Sequence, residues 1–394
     1  MKLFDSKAGA LVDFVPLTPG EVGIYVCGPT VQSAPHVGHL RSAVAFDIIA
    51  RWLRIGHGYD VKLVRNVTDI DDKILVNAEK LGKDWRELAV EVEAGFNEVY
   101  ESIGAGVENA PHATAHIAGM IEVIERLIEK GHAYQAENGS ANVFFDTASH
   151  ASYGELTRQK LENMEGEAIG GGRRAAHDFA LWKAAKPGEP ETASWDSPWG
   201  KGRPGWHIEC TAIALEYLDP SDLEETLIDV QGGGSDLIFP HHEMCAAQAH
   251  VMTGKELAHS YVHTGMIGLD GEKMSKSKGN LVFVSRLVAS GVDPMAIRWA
   301  LMSDHYKADR MWSDAILFQA QDSIRQLKQA LARDNCAPTT DLINVIIVAL
   351  SNDLDTAQIV SALNAWSTET LNGSQGGNPT ELRAVLDALL GLQL

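Results

Sequence analysis

Long apolar runs are missing from this 394-residue chain. No stretch approaches the roughly 20 consecutive apolar residues that a membrane-spanning helix needs. The opening Met1-Lys2-Leu3-Phe4-Asp5 lacks the apolar core of a secretion signal. A cytoplasmic protein with no membrane partner is therefore expected. Cysteine is scarce: Cys27, Cys210, Cys245 and Cys336 are the four present. In a reducing compartment, spacing that wide points to metal or catalysis more than to disulfides. Positive charge is short as well. Thirty-three Lys and Arg face 53 Asp and Glu, a net charge of −20, which weighs against a large nucleic-acid footprint. Internal repeats and low-complexity tracts are also lacking. What remains, 45% hydrophobic and 22% charged, is a globular composition with length for two or three domains.

The most informative stretch runs from Cys27 to Arg41. It follows an apolar run, Val22 to Val26, that reads as a buried strand, and leads into an amphipathic helical pattern from about residue 43 to 54. A Gly/Pro-rich turn between strand and helix is where α/β proteins hold nucleotides, because helix N-terminal N–H groups point at phosphate. This turn carries His36 and His39. Val61 to Arg65 reads as a second parallel strand, which places Asn66, Val67 and Thr68 at its carboxyl end, against a ligand. Asp71 and Asp72 open the next helix, where carboxylates suit the helix dipole. Residues 74–103 read as helical.

The character changes from 104 to 200. A helical stretch, short strands near residues 142–146, a Gly-rich segment and several tryptophans suggest an insertion. The core resumes at Gly202 to Cys210. Leu227 to Val230 is expected as a strand running into Gly232-Gly233-Gly234-Ser235-Asp236, where successive glycines let backbone approach a ligand. A last strand spans 261–269, and helices fill the chain from 292. The expected divisions are 1–103 and 201–290 for two halves of a Rossmann-like, doubly wound α/β catalytic domain, 104–200 for an α+β connective insertion, and 291–394 for a helical bundle.

His36-Val37-Gly38-His39 and Lys273-Met274-Ser275-Lys276-Ser277 together resemble the signature pair of class I aminoacyl-tRNA synthetases, in that family's order. The resemblance implies ATP with Mg²⁺ on the turn, with His36, His39 and Lys276 stabilising phosphate charge during amino-acid adenylation. Cys27-Gly28-Pro29-Thr30, Gly205-Trp206-His207-Ile208-Glu209-Cys210 and Phe239-Pro240-His241-His242-Glu243 resemble the cysteinyl-tRNA synthetases. That implies one Zn²⁺ on Cys27, Cys210 and His241, with the thiolate of L-cysteine as fourth ligand. A soft sulfur site rejects serine without editing. The second glutamate of the synthetase pattern is replaced by Cys245, which ligates, sits nearby or only packs; packing or an outer position is expected. The resemblance also implicates Gly28, Pro29, Thr30, Ser42, Asn66, Val67, Thr68, Trp206, Gly234, Ser235, Asp236, Ile267 and Lys273 in holding ATP and cysteinyl-adenylate.

The two halves resemble different relatives. Residues 1–200, with Asn66 to Lys73 and Asp178 to Lys183, are similar to cysteinyl-tRNA synthetases. Residues 228–394, with Val230 to Asp236 and His305 to Trp312, are similar to mycothiol ligases, which join cysteine to glucosaminyl-inositol. From Cys336 to Leu394, Arg383 stands alone against six carboxylates, a composition that repels phosphate. With no anticodon-binding domain expected after the bundle, the ligase reading is preferred, with a monomer expected. A cysteinyl-tRNA synthetase that charges tRNA is the alternative. A non-catalytic relative would have no reason to keep His36, His39, Lys276 and three zinc candidates. Trp206 is read either as a wall of the cysteine pocket or as a face for a sugar ring, with Asp236 or Asp69 accepting from hydroxyls.

Overall fold

The structure is a computed structural model that describes all residues except 165, 167, 168, 219–224 and 275–278. Its centre is a four-stranded parallel sheet. The strands lie in the order Glu256–Thr264, Thr226–Gly234, Glu21–Val26, Asp60–Arg65. All three pairings are parallel, with Tyr25 opposite both Gln231 and Val64. The two inner strands, Glu21–Val26 and Thr226–Gly234, are buried over most of their length because helices cover the sheet. The order brings strands separated by about 200 residues of sequence side by side. A ligand crevice belongs at that switch point, beyond the carboxyl ends of Glu21–Val26 and Thr226–Gly234.

The helix after the turn is Val37–Arg51, earlier and less amphipathic than the sequence pattern suggests. Ten of its 15 residues are buried, since the sheet and the helices Pro294–Met302 and Pro379–Leu390 pack around it. Phe46 explains part of the glycine run: a Cβ on Gly232 would stand 2.0 Å from its ring. Gly233 lies against Leu237 and His242 in the same way. Two of the three glycines therefore serve packing, and Gly234 is the one that lines the ligand cleft.

Other expectations need adjustment. The leading segment forms a hairpin, Lys2–Asp5 with Ala10–Asp13. The helical stretch after residue 71 is two helices, Asp72–Leu81 and Trp85–Ser102, because Gly82 closes the first in a left-handed conformation and Asp84 caps the second. The strand expected over 261–269 breaks at Gly265, whose Cβ would meet the Ala308 backbone at 2.5 Å. Its continuation, Ile267–Leu269, pairs instead with Arg310–Trp312 and Glu272–Lys273.

Between the halves of the parallel sheet lies a four-stranded antiparallel sheet: Ala133–Gln135, Val143–Phe145, Phe179–Ala184 and Gly202–Pro204. Asp72 ties it to the core. Asp71 behaves as a helix cap, accepting from the Lys73 amide at 2.8 Å. Asp72 instead bonds Lys183 at 3.0 Å and the buried Arg203, which also holds Glu189. Burial works against its charge, but Lys183 and Arg203 hold its carboxyl well below the usual carboxylate range. Helices Asp314–Leu331, Thr340–Ser351, Thr356–Leu371 and Pro379–Leu390 form the C-terminal region. No helix among the described residues is long and apolar enough to cross a membrane.

Candidate active site

Two imidazoles cap the Val37–Arg51 helix. His36 Nδ1 accepts from the Gly38 amide at 3.2 Å, and His39 Nδ1 accepts from the His36 amide at 3.3 Å. The rings lie 3.8 Å apart. An Nδ1 that accepts carries no proton, so each ring is protonated at Nε2 and presents a donor there. The turn is pinned on its other side by residues 282 and 284. The Val37 amide donates to Val282 O at 3.1 Å, and Val284 to Pro35 O at 3.4 Å.

Both histidines face a cleft of about 320 Å³. Cys27, Gly28, Pro29, Thr30, Ser42, Trp206, Gly234, Asp236 and Ile267 line it with them. Ser42 Oγ lies in this wall with no hydrogen-bond partner among the described residues. Gly28 is required by close approach: a Cβ there would stand 1.6 Å from Asn66 O. Asn66, Val67, Thr68 and Ser235 are not on the cleft wall. Asn66 is fully buried, accepting from the Gly28 amide at 2.9 Å, and Thr68 donates to the buried Glu209 at 2.9 Å. They support the floor. Burial pushes the Glu209 carboxyl well up. Lys273 sits on the short strand Glu272–Lys273. Lys276, like Ser275 and Ser277, lies outside the described residues. Asp69 is already engaged, accepting from the Thr114 amide at 2.9 Å and its hydroxyl at 2.5 Å.

Sulfur and nitrogen converge at the inner end. Ligand atoms of Cys27, His241 and His242 all lie within 4.8 Å of one another. His242 Nε2 is 3.1 Å from Cys27 Sγ, and His241 Nε2 is 3.2 Å from Cys210 Sγ. Cys245 Sγ lies 4.0 Å from His241 Nε2 while donating to His207 O at 3.4 Å. Tetrahedral zinc with bonds of 2.0–2.3 Å holds its ligands about 3.5 Å apart, so these side chains fit that ion in spacing and softness. Behind them stand further imidazoles. His207 Nδ1 meets His241 Nδ1 at 2.8 Å; His263 Nε2 meets His242 Nδ1 at 2.7 Å and is itself 2.7 Å from Ser6 Oγ through Nδ1. Such partners orient a ligating ring. Burial and the His241 charge hold His207 well below the ordinary histidine range, and burial alone lowers His263 to about 3. Cys27 beside it and His241 favour the Cys210 thiolate against burial, while burial raises Cys27. His241 is raised by Cys245 and Cys210 despite its burial. Trp206 stacks on His241, centroids 4.2 Å apart. One face of the indole is therefore already covered by the cysteine-end cluster.

His242, His207 and His263 were not singled out from sequence. His207 and Cys210 are three apart on one helix, a spacing that shares a face; His242 adjoins a named candidate. His263 had no local signal, because only the parallel pairing of its strand brings it there.

A model of the class I (C) tRNA synthetase catalytic domain matches residues 13–322. The cysteine–tRNA ligase of Clavibacter michiganensis subsp. michiganensis is 49% identical over 341 residues, 84% of this chain and 69% of that protein. The chain belongs to the class I tRNA synthetases. The cysteine–tRNA ligase of Beutenbergia cavernae is 42% identical, covering 100% of this chain and 85% of that one. Among solved structures, Mycobacterium tuberculosis methionyl-tRNA synthetase with methionyl-adenylate superposes with a TM-score of 0.63 at 17% identity, over 94% of this chain and 88% of that one. Agrobacterium radiobacter LeuRS in a ternary complex with tRNA gives 0.64 at 12%, over 96% and 84%. These two share the fold, as the sequence led one to expect. Membership makes the chain an ATP-dependent amino-acid ligase of the class I synthetase type.

Proposed function

We propose that this class I synthetase relative activates L-cysteine as cysteinyl-adenylate and passes it to the amine of glucosaminyl-inositol, the step of mycothiol biosynthesis that forms the amide. In the first half-reaction a cysteine carboxylate oxygen bonds to the α-phosphorus of Mg²⁺-ATP. The bond to the β-phosphate breaks and pyrophosphate leaves. His36 and His39 donate from Nε2 to phosphate oxygens as charge develops, and Ser42 contributes a hydroxyl. Lys276 neutralises pyrophosphate. Cys27, Cys210 and His241, with His242 or Cys245 nearby, would hold zinc. When bound, that ion supplies selectivity for a thiolate substrate. Trp206 and the glycine at 234 shape the cysteine end. In the second half-reaction the acceptor nitrogen bonds to the acyl carbon, the bond to AMP breaks, and the surplus proton passes to water.

The observation that carries the choice of acceptor is the charge of the C-terminal region. From Cys336 on, one arginine faces six carboxylates, and a tRNA would meet repulsion there. The marks shared with mycothiol ligases between residues 228 and 312 support it. A second reading, cysteine transfer to tRNA, is favoured by the names of the curated relatives above. The deciding experiment offers the protein ATP, cysteine and either glucosaminyl-inositol or tRNA across rising salt, and identifies product by mass. Amide formation with weak salt dependence is expected; efficient, steeply salt-sensitive tRNA charging would overturn the ligase reading.

A further inference from the structure

A second cavity, about 180 Å³, adjoins the adenylate cleft and shares Pro29, Arg65 and Tyr100 with it. Its outer wall is one stripe of the Trp85–Ser102 helix: Glu93, Asn97 and Glu101, spaced four apart and therefore on one face. Glu93 is occupied, its carboxylate meeting His112 Nε2 at 2.9 and 2.8 Å. Among the described residues, the Glu101 carboxylate and the Asn97 amide have no hydrogen-bond partner. The partition between the two spaces is Arg65 stacked on Tyr100, guanidinium to ring centre 3.8 Å. The cation is spoken for: Arg65 Nη2 donates to Ala105 O at 3.0 Å. Tyr100 is different. It is 5% exposed, it borders both spaces, and its hydroxyl makes no hydrogen bond among the described residues. Unlike the enclosed hydroxyl of Tyr25, that of Tyr100 is open to the cavity, where a ligand or water can meet it.

We propose that this groove seats the amine-bearing co-substrate, a small hydroxyl-rich ring carrying a cationic nitrogen. This rests on the functional reading above and names the place where its acceptor binds. Glu101 attracts the cationic nucleophile from solvent. Asn97 and Tyr100 meet ring hydroxyls, Tyr100 from the inner end where the groove borders the cleft. The amine then gives up its proton to water and its nitrogen bonds to the acyl carbon as AMP leaves. A carboxylate at the mouth admits a cation and disfavours a polyphosphate chain.

The test is steady-state transfer to glucosaminyl-inositol by the full chain bearing Glu101→Gln, Asn97→Ala or Tyr100→Phe, with ATP–pyrophosphate exchange measured in parallel. Each variant is expected to raise KM for the acceptor roughly tenfold, while KM for ATP and cysteine in exchange moves less than twofold in Glu101→Gln and Asn97→Ala. Glu98→Gln, one residue round the same helix, should leave transfer unaltered. Unchanged acceptor KM in all three groove variants overturns the groove and leaves the ligase reading standing. Wild-type protein that supports exchange but transfers only to tRNA overturns the ligase reading and this assignment with it.

Discussion

Replacing Arg298 with methionine should loosen the junction that holds the site helix. Arg298 is fully buried and donates to three elements: Nε to Leu390 O at 2.7 Å, Nη1 to Ile103 O at 2.8 Å, and Nη2 to Asp47. Asp47 lies on the same Val37–Arg51 helix that presents His36 and His39. In Arg298→Met the Asp47 carboxylate keeps Arg51, whose Nε lies at 3.0 and 2.9 Å from its two oxygens, so no charge is stranded. Two buried carbonyls lose a charged donor, each costing about 1–3 kcal/mol. Apolar burial of the methionine returns about 1–2 kcal/mol. Taking the middle of each range, the net loss is about 2.5 kcal/mol. Arg298→Lys keeps the charge but cannot span three partners from one ammonium, and should cost about half as much. Thermal and urea unfolding followed by circular dichroism measure both, with the exposed pair Lys83–Glu91 as a control site worth under 1 kcal/mol. Because the junction is at the far end of the helix from the turn, ATP–pyrophosphate exchange should fall only a few fold. An Arg298→Met protein within about 0.5 kcal/mol of the parent would refute the reasoning.

Cys210→Ser should reduce zinc content, read by elemental analysis, together with cysteine-dependent exchange; full exchange activity in metal-free protein would defeat the zinc assignment. Asp72→Asn should change the acid limb of stability. Its folded carboxyl is held below the unfolded value, so the contribution is present at neutral pH and is lost as pH falls below the ordinary carboxylate range; the variant should be less stable at pH 7 and show a flatter fall below pH 4 in urea titrations. His39→Ala removes a phosphate donor and a helix cap at once: exchange should drop at least a hundredfold, and stability by about 1 kcal/mol, whereas equal small losses in both would reduce His39 to a cap. Lys276→Ala should depress exchange strongly with unfolding midpoint and zinc content unchanged.

Much of the fold was legible because its signals are local. A buried parallel strand is a short apolar run, and a Gly/Pro-rich turn between strand and helix is legible from about 15 residues, although its histidines gained meaning only beside the second motif at Lys273 to Ser277. The two signature motifs were readable for the same reason, whereas zinc on Cys27, Cys210 and His241 was implied by the resemblance to cysteinyl-tRNA synthetases, since ligands so far apart leave no regular spacing. Boundaries were less so. Val37–Arg51 looked shorter and more one-sided than it is, since burial from every side erases the polar face that marks a helix limit.

The sequence by itself determined the chemistry available: which thiols, imidazoles and lysines exist, and that they sit at the ends of elements where an α/β sheet exposes them. Tertiary structure decided what each one does. Asp72 could have served the helix dipole, but the inserted sheet brings Lys183 and Arg203 to it. Asp69, a candidate for ligand hydroxyls, is taken by Thr114. Gly232 could have admitted a ligand, but Phe46 fills that space. Asn66 and Thr68 end up beneath the cleft, and His242, His207 and His263 join the cluster at its inner end. These outcomes depend on contacts between residues up to 257 positions apart, as between Ser6 and His263. Such contacts are set by strand order and packing, which leave no periodic trace along the chain.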